Sequence, residues 1–423
     1  MNLTSRSRML APFGVRSFRY QWPADLSTSC AFEMETLALG WFILVETGSV
    51  LLLTLFASLQ YIGTLFAPMM GVIGDRISHR RLLCAMRAIY LALATLLCAL
   101  AFADLLGPAQ AFAVAALAGL VRASDFGVRN VLISETIPPD RLLGALGLSR
   151  ITADGARAIG ALAGAGTVAA LGLSWAYVLV VGCYAASFVL TFGTGERDVV
   201  AAPRAMTPAH GDPGGRRSPW SDLGTAVRLV WAMPPQRAVM SFAFLVNLAT
   251  YPFILGLLPY LAREVYGVDQ TGLGYMVATT ALGCVAASIL LGRLEGRLLP
   301  ARSMLVFCIV WQVLTIALGM TQSLGIGLVV LAMTGLAQGL CMVPMTVIQL
   351  RNAPAHLRGR IAGLRTLAVY GLPLGLWLSG PLIERTGFTV ATLVYGGVGL
   401  VATLAMLILW RAHLWPADAA SNR

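Results

Sequence analysis

Apolar segments of about twenty residues recur along this chain, and no water-soluble core can absorb so many of them. Roughly 20 such residues cross the roughly 30 Å hydrocarbon layer of a bilayer. Judged by length and by interruption, the segments number twelve, near residues 24–46, 50–73, 82–104, 108–134, 144–169, 173–194, 237–260, 270–292, 303–321, 323–349, 359–383 and 388–411. Only 12% of the residues are charged and 58% are hydrophobic, whereas a soluble domain carries about 25% charged residues. Lipid offers no partner to an exposed peptide group, so each segment must form its own hydrogen bonds as a helix. The expectation is an all-α, multi-pass membrane protein of twelve spans.

The net charge of +11 comes from arginine alone among the basic residues, and its distribution matters more than its size. Twenty-two of the 30 arginines fall on the two ends, in loops after even-numbered segments or at the segment ends beside these, while only Arg263 and Arg385 fall in the opposite loops. That bias places both termini in the cytoplasm. It is a topology signal rather than a basic face for nucleic acid. The basic start runs directly into a full-length span, so the first segment reads as retained rather than as a signal peptide. All seven cysteines lie in apolar segments without a Cys-x-x-Cys, and the four histidines lie in loops or the tail. Such cysteines behave as small hydrophobes. No metal site, cofactor site or nucleophile–base pair is visible, so an enzyme is not expected.

The longest polar stretch, about 195–236, is rich in Pro, Gly and Arg and splits the chain after six segments. Residues 1–194 and 237–423 are expected to be two six-helix bundles. Residues 195–236 would form a cytoplasmic linker, with a possible surface helix over 218–232. A shift of 215 residues lays Pro139 on Pro354, Leu142 on Leu357, Gly144 on Gly359, Arg150 on Arg365, Gly160 on Gly375 and Gly172 on Gly387. This register argues for an internal duplication.

Between the second and third segments lies Gly71-Val-Ile-Gly-Asp75-Arg76-Ile-Ser-His-Arg80-Arg81. It resembles the loop signature of the major facilitator superfamily. Two further stretches, Val347 to Ile361 with Gly371-Leu-Pro373-Leu-Gly375, and Trp41 to Ser49, resemble the enterobactin-exporter and macrolide-efflux branch. The resemblance implies two pseudo-symmetric six-helix bundles with a substrate site between them near the midplane, and export driven by protons. It also implies a cytoplasmic gate in which Asp75, with Gly71, Arg76, Arg80 and Arg81, meets the helix end at Gly359 and Arg360. Alanine replaces the proline that antiporters of this family carry in the fifth helix, in Gly155-Ala-Arg-Ala-Ile-Gly160-Ala161.

A charge at the centre of a span costs about 2.5–3.5 kcal/mol on insertion scales and is kept when paired or facing a cavity. The first half holds Glu33, Glu35, Arg122, Asp125, Arg129, Arg150, Asp154 and Arg157 within its spans; the spans of the second half hold no acid. Proton coupling is therefore expected in the first half. Asp154 stands four residues after Arg150 and three before Arg157, and Asp125 stands between Arg122 and Arg129, which suits same-face pairing. Glu33 and Glu35 lack a basic residue within a turn and point about 200° apart around their helix. Glu33 shares a face with small and polar residues that suit a wet cavity. Glu35 is expected to pack against a neighbour such as Arg157.

Asn247, Tyr251, Gln338, Met342, Gln349 and Tyr370 are expected to line the second half's share of the cavity. Aromatic rings, thioethers and amides suit a bulky, partly apolar cargo. The sequence thus points to a monomeric exporter of a siderophore-like or drug-like molecule in the bacterial inner membrane, working by proton antiport. A same-fold importer using proton symport is the alternative.

Overall fold

The computed structural model describes residues 11–65, 78–194, 231, 233–294, 299–351 and 368–410. Among them the regular structure is helical, with no strand. The principal helices are α1 (Arg16–Thr47), α2 (Val50–Leu59), α3 (His79–Phe102), α4 (Pro108–Thr136), α5 (Pro139–Leu171) and α6 (Leu173–Phe192). After the polar stretch come α7 (Pro234–Ala249), α8 (Gln270–Arg293), α9 (Pro300–Met320), α10 (Leu324–Arg351), α11 (Gly371–Thr386) and α12 (Phe388–Leu409).

Eight of these (α1, α3, α4, α6, α8, α9, α10 and α12) are long and apolar enough to cross a membrane. The others fall short for visible reasons. The described part of α2 is only 10 residues long, and α7 and α11 each run for 16. Helix α5 has the length, at 33 residues, but carries Arg150, Asp154 and Arg157 along one stretch. Outward faces are apolar: Ile408 is 75% exposed, Val401 68% and Val189 65%. Exposed aliphatic surface on this scale belongs against lipid rather than water.

Helix α1 begins eight residues before the expected span, at Arg16 rather than near residue 24. Its early turns are anchored by packing. Phe18 is buried with Ile133, Ile137 and Ala145, Phe13 and Trp22 close over it, and the Trp22 indole donates to Thr152 at 2.7 Å. Helix α7 is interrupted. It breaks at Thr250, resumes as Tyr251–Leu255 and Leu258–Tyr260, and ends in a π-helical turn at Leu261–Val265. Pro252 removes one backbone donor and Gly256 weakens the helix, which accounts for the breaks.

The described residues fall into two compact units. One gathers those within 1–47, 59–215 and 269–278, the other those within 48–58, 216–268 and 279–423. In the first unit α1 packs on α5 and α6, and α3 packs on α4 and α6. In the second, α7 packs on α11 and α12, and α9 packs on α10 and α12. The pairing scheme therefore recurs six helices later. Glycine makes the approaches close: a Cβ on Gly160 of α5 would lie 2.7 Å from the Cys30 carbonyl of α1, and one on Gly375 of α11 would lie 2.3 Å from the Leu248 carbonyl of α7. Gly172 and Gly387, which join α5 to α6 and α11 to α12, share a left-handed backbone with φ of 86° and 85°. That region is open to glycine at no steric cost.

Candidate functional site

The helices of the first unit that carry its buried and half-buried charges are α1, α3, α4 and α5. Glu33 and Glu35 sit two residues apart on α1 and face different neighbours. Glu33 Oε1 lies 3.4 Å from Arg157 Nε of α5, and both side chains are partly open, at 19% and 25% exposure. Such a pair is held but accessible, so a charged group of a substrate could displace either partner.

Glu35 is buried and accepts a 3.0 Å hydrogen bond from the Tyr184 hydroxyl of α6. Among the described residues no cation lies within ion-pair distance of it; Arg122 acts on it from farther away. Glu35 thus packs against a neighbour as expected, but the neighbour is the Tyr184 phenol, while Arg157 pairs with Glu33. The cause is geometric. Residues 33 and 35 diverge around the helix, with Gly160 bringing α5 against the Glu33 side.

Arg122 of α4 reaches toward α1 and Gln60. Its guanidinium lies over the Phe32 ring, and its Nη1 donates at 3.3 Å to Gln60 Oε1, which also accepts from the Thr36 hydroxyl at 3.0 Å. A cation stacked on an aromatic face and bound to a neutral amide keeps its charge available. Asp125 pairs with Arg129 one turn later rather than with Arg122. Asp154 is buried at 4% exposure in α5. The arrangement can hold a proton on a buried carboxyl and offer a separable ion pair within the same bundle.

Sequence reasoning missed Asp25 and Arg87. Both are buried and contact each other between α1 and α3. Asp25 passes as a membrane-edge residue when α1 is started at 24. Arg87 was the available signal, because a lone arginine inside an apolar span requires a partner.

In the second unit, Gln338 of α10 donates to the Tyr251 hydroxyl at 3.2 Å, and Tyr251 meets Trp311 of α9 edge to face at 5.0 Å. Asn247 turns back to the Ala243 carbonyl of its own helix, at 2.8 Å. Met342 is part of the packed core at 9% exposure, and Gln349 is buried with its carbonyl accepting from Gln236. Tyr370 is half-buried at the start of α11. Tyr251 and Gln338 are therefore joined, while Asn247 and Met342 serve their own helix and core.

Of the loop motif, Arg80 donates to the Phe192 carbonyl at 2.6 Å, and Arg81 lies in the first turn of α3, capped by Ser78. Gly71, Asp75, Arg76, Gly359, Arg360 and the expected surface helix over 218–232, apart from the exposed, helical Trp231, lie outside the described residues. No group of three or more metal-binding side chains occurs among the described residues.

The fold is similar to that of solved transporters. Peptide transporter PepTSo of the POT family matches with a TM-score of 0.73 at 14% identity, covering 94% of this chain and 98% of that one. Nucleoside transporter NupG matches with a TM-score of 0.69 at 14% identity, covering 93% and 99%. A bacterial homologue of the human lysosomal transporter Spinster matches with a TM-score of 0.60 at 15% identity, covering 93% and 96%. No curated protein sequence matches. The sequence profile of the Major Facilitator Superfamily matches residues 26–372 and 240–421, and the chain belongs to that family of membrane transporters.

Proposed function

We propose that this protein is a secondary transporter that exports a siderophore-like or drug-like small molecule across the bacterial inner membrane in exchange for protons. Both termini and the central linker lie in the cytoplasm in this reading, the protein works as a monomer, and residues 1–194 and 237–423 rock as two six-helix halves. Glu35 is the proton-binding carboxyl. Glu33 and Arg157 are the pair that a substrate opens, with Arg122 alongside. Tyr251 and Gln338 supply contacts for a bulky, partly apolar cargo. Asp75, Gly359 and Arg360 latch the cytoplasmic gate.

One observation carries the coupling assignment. Glu35 is buried against a neutral hydroxyl, with no cation at ion-pair distance among the described residues, beside a partly open Glu33–Arg157 pair. A buried carboxyl can exist neutral and give up its proton when its surroundings turn polar or cationic. The scarcity of acids in the second half supports the same placement.

The test uses inverted membrane vesicles energised to an acidic interior, with an acridine dye reporting the gradient. A macrolide, a catecholate siderophore, a nucleoside and a dipeptide are added in turn. Antiport predicts that one of the first two discharges the gradient in wild type and fails to in Glu35→Gln. Discharge that is unchanged in Glu35→Gln removes that carboxyl from the mechanism. Concentrative uptake of the nucleoside or dipeptide into intact cells, without discharge by the others, makes the protein an importer.

A further inference from the structure

The first unit contains a group of charges that the site above does not use. Asp25 of α1 contacts Arg87 of α3 and lies 3.5 Å from Arg129 of α4, which also pairs with Asp125 of its own helix. All four are buried, at 6%, 0%, 9% and 6% exposure respectively. The opposing charges balance. Every neighbouring helix adds polar groups. Helix α6 supplies Thr191, which accepts from Arg87, and Ser187, 2.5 Å from Thr28 of α1. Helix α1 also supplies Ser29, which accepts from Arg129, and Gln21, which donates to the Arg129 carbonyl.

The hydrogen bonding of this cluster is incomplete. Asp125 Oδ1, Arg87 Nε, Gln21 Oε1 and the Tyr90 hydroxyl are buried without a hydrogen-bond partner among the described residues. Groups of this kind gather where internal water bridges polar side chains, since a buried water takes about two to four polar partners. Tyr90 lies one turn after Arg87 on α3, and Asp125, Arg129, Arg122 and Arg87 are its charged neighbours. Its ring stacks on Tyr184 with centroids 5.7 Å apart. Tyr184 is the residue that donates to Glu35, and Tyr177 and Arg122 are the other ionisable groups near that carboxyl. The two tyrosines therefore fill the interval between the four-charge cluster and the coupling carboxyl.

We propose that Tyr90 and Tyr184 form a proton relay joining Glu35 to the buried Asp25–Arg87–Arg129–Asp125 cluster, with Asp125 as the carboxylate that receives the proton. A phenol hydroxyl both donates and accepts, as a relay requires. In the transfer the Glu35 O–H bond breaks and its proton moves to the Tyr184 oxygen. With the Glu35–Tyr184 hydrogen bond reversed, Tyr184 releases its own proton through water to the Tyr90 oxygen, and Tyr90 releases its proton through a second water to Asp125 Oδ1. One proton moves from carboxyl to carboxylate, and both tyrosines end neutral. When Asp125 is protonated, Arg129 is left to Asp25. The cluster thus registers the state of Glu35 by a change of ion pairing.

The inference rests on Glu35 being the coupling carboxyl, and a pH-jump experiment separates the two ideas. Purified full-length protein in nanodiscs is mixed with unbuffered solution, and proton uptake is followed with pyranine. Glu35→Gln is expected to lose an uptake phase. Tyr90→Phe and Tyr184→Phe are expected to keep its amplitude and slow it at least tenfold. Tyr90→Phe is the decisive variant: it retains the ring stack and removes a hydroxyl with no hydrogen-bond partner among the described residues, so a purely structural role leaves the rate unchanged. A phase lost in Glu35→Gln but unaltered in both tyrosine variants overturns the relay alone. A phase that survives in Glu35→Gln overturns both the coupling assignment and the relay that ends on it.

Discussion

Tyr184 donates its hydroxyl to Glu35 across 3.0 Å, at a carboxyl for which the sequence offers Arg157 as a neighbour. Removing one partner of a buried hydrogen bond costs about 1–3 kcal/mol, whereas replacing both by apolar groups of similar shape is nearly neutral. Tyr184→Phe should therefore lower the thermal midpoint of the purified protein. The double variant Tyr184→Phe with Glu35→Leu should recover much of that loss. Equal losses in single and double variants would show that the contact contributes nothing.

The Asp25–Arg87 contact should behave in the same sense on a larger scale. Breaking a buried ion pair from one side costs about 3–5 kcal/mol because a buried charge is left uncompensated. Arg129 lies 3.5 Å from Asp25 and takes over part of the compensation in Arg87→Met. That variant is expected at the lower end of the range. Asp25→Asn combined with Arg87→Met should cost clearly less than the sum of the two single changes. Unfolding midpoints of the four proteins in one detergent measure the coupling, and strict additivity would rule it out.

The sequence made the helices legible and left the pairing of charges obscure, for one physical reason. A span is a local property, read from about twenty neighbouring residues. An ion pair across a bundle joins residues such as Asp25 and Arg87, 62 positions apart. Where partners share a helix, as with Asp125 and Arg129, spacing suffices. It fails for Glu33 and Glu35, since angles around α1 separate their faces but do not say which helix meets each face. The start of α1 escaped because hydropathy counts Arg16, Arg19 and Asp25 as exits from the membrane, while Phe18 and Trp22 bury those turns against α4 and α5. The breaks in α7 lie at residues the sequence shows plainly, Pro252 and Gly256, but the π-helical turn that follows has no comparable mark.

The internal repeat predicts matched responses at matched glycines. Ala at Gly172 or Gly387 forces a side chain into a positive-φ extended region that is essentially reserved for glycine, at about 1–3 kcal/mol. Val at Gly160 or Gly375 must push apart helices whose backbones approach closely, at about 1–3 kcal/mol. Ala at Gly166, where an added Cβ meets nothing within 4 Å, should be neutral or slightly stabilising. Thermal melts of the five variants test this. A pair whose members differ widely would argue against equivalent packing in the two units.

Tyr251 and Gln338 should act on cargo and leave proton binding alone. Their 3.2 Å hydrogen bond and the Trp311 edge contact fix the Tyr251 ring. Loss of one such bond is worth about 0.5–1.5 kcal/mol, so Tyr251→Phe or Gln338→Ala should raise KM for a transported compound roughly threefold to tenfold. The pH dependence of transport should stay that of wild type. A shifted pH profile in either variant would place these residues in the coupling path instead.

Topology gives the broadest prediction, because arginine bias orients every helix at once. Single cysteines at Thr4 and Gly214 should react with a membrane-impermeant maleimide in inverted vesicles and resist it in intact cells. Cysteine at Gln322, in the exposed turn between α9 and α10, should show the reverse. The native cysteines of the described helices are buried or half-buried and provide the low background. Reaction of Thr4→Cys and Gly214→Cys from opposite faces would leave an odd number of crossings between them. Six helices on each side of the linker would then be impossible, and so would an exchange of access between two like halves.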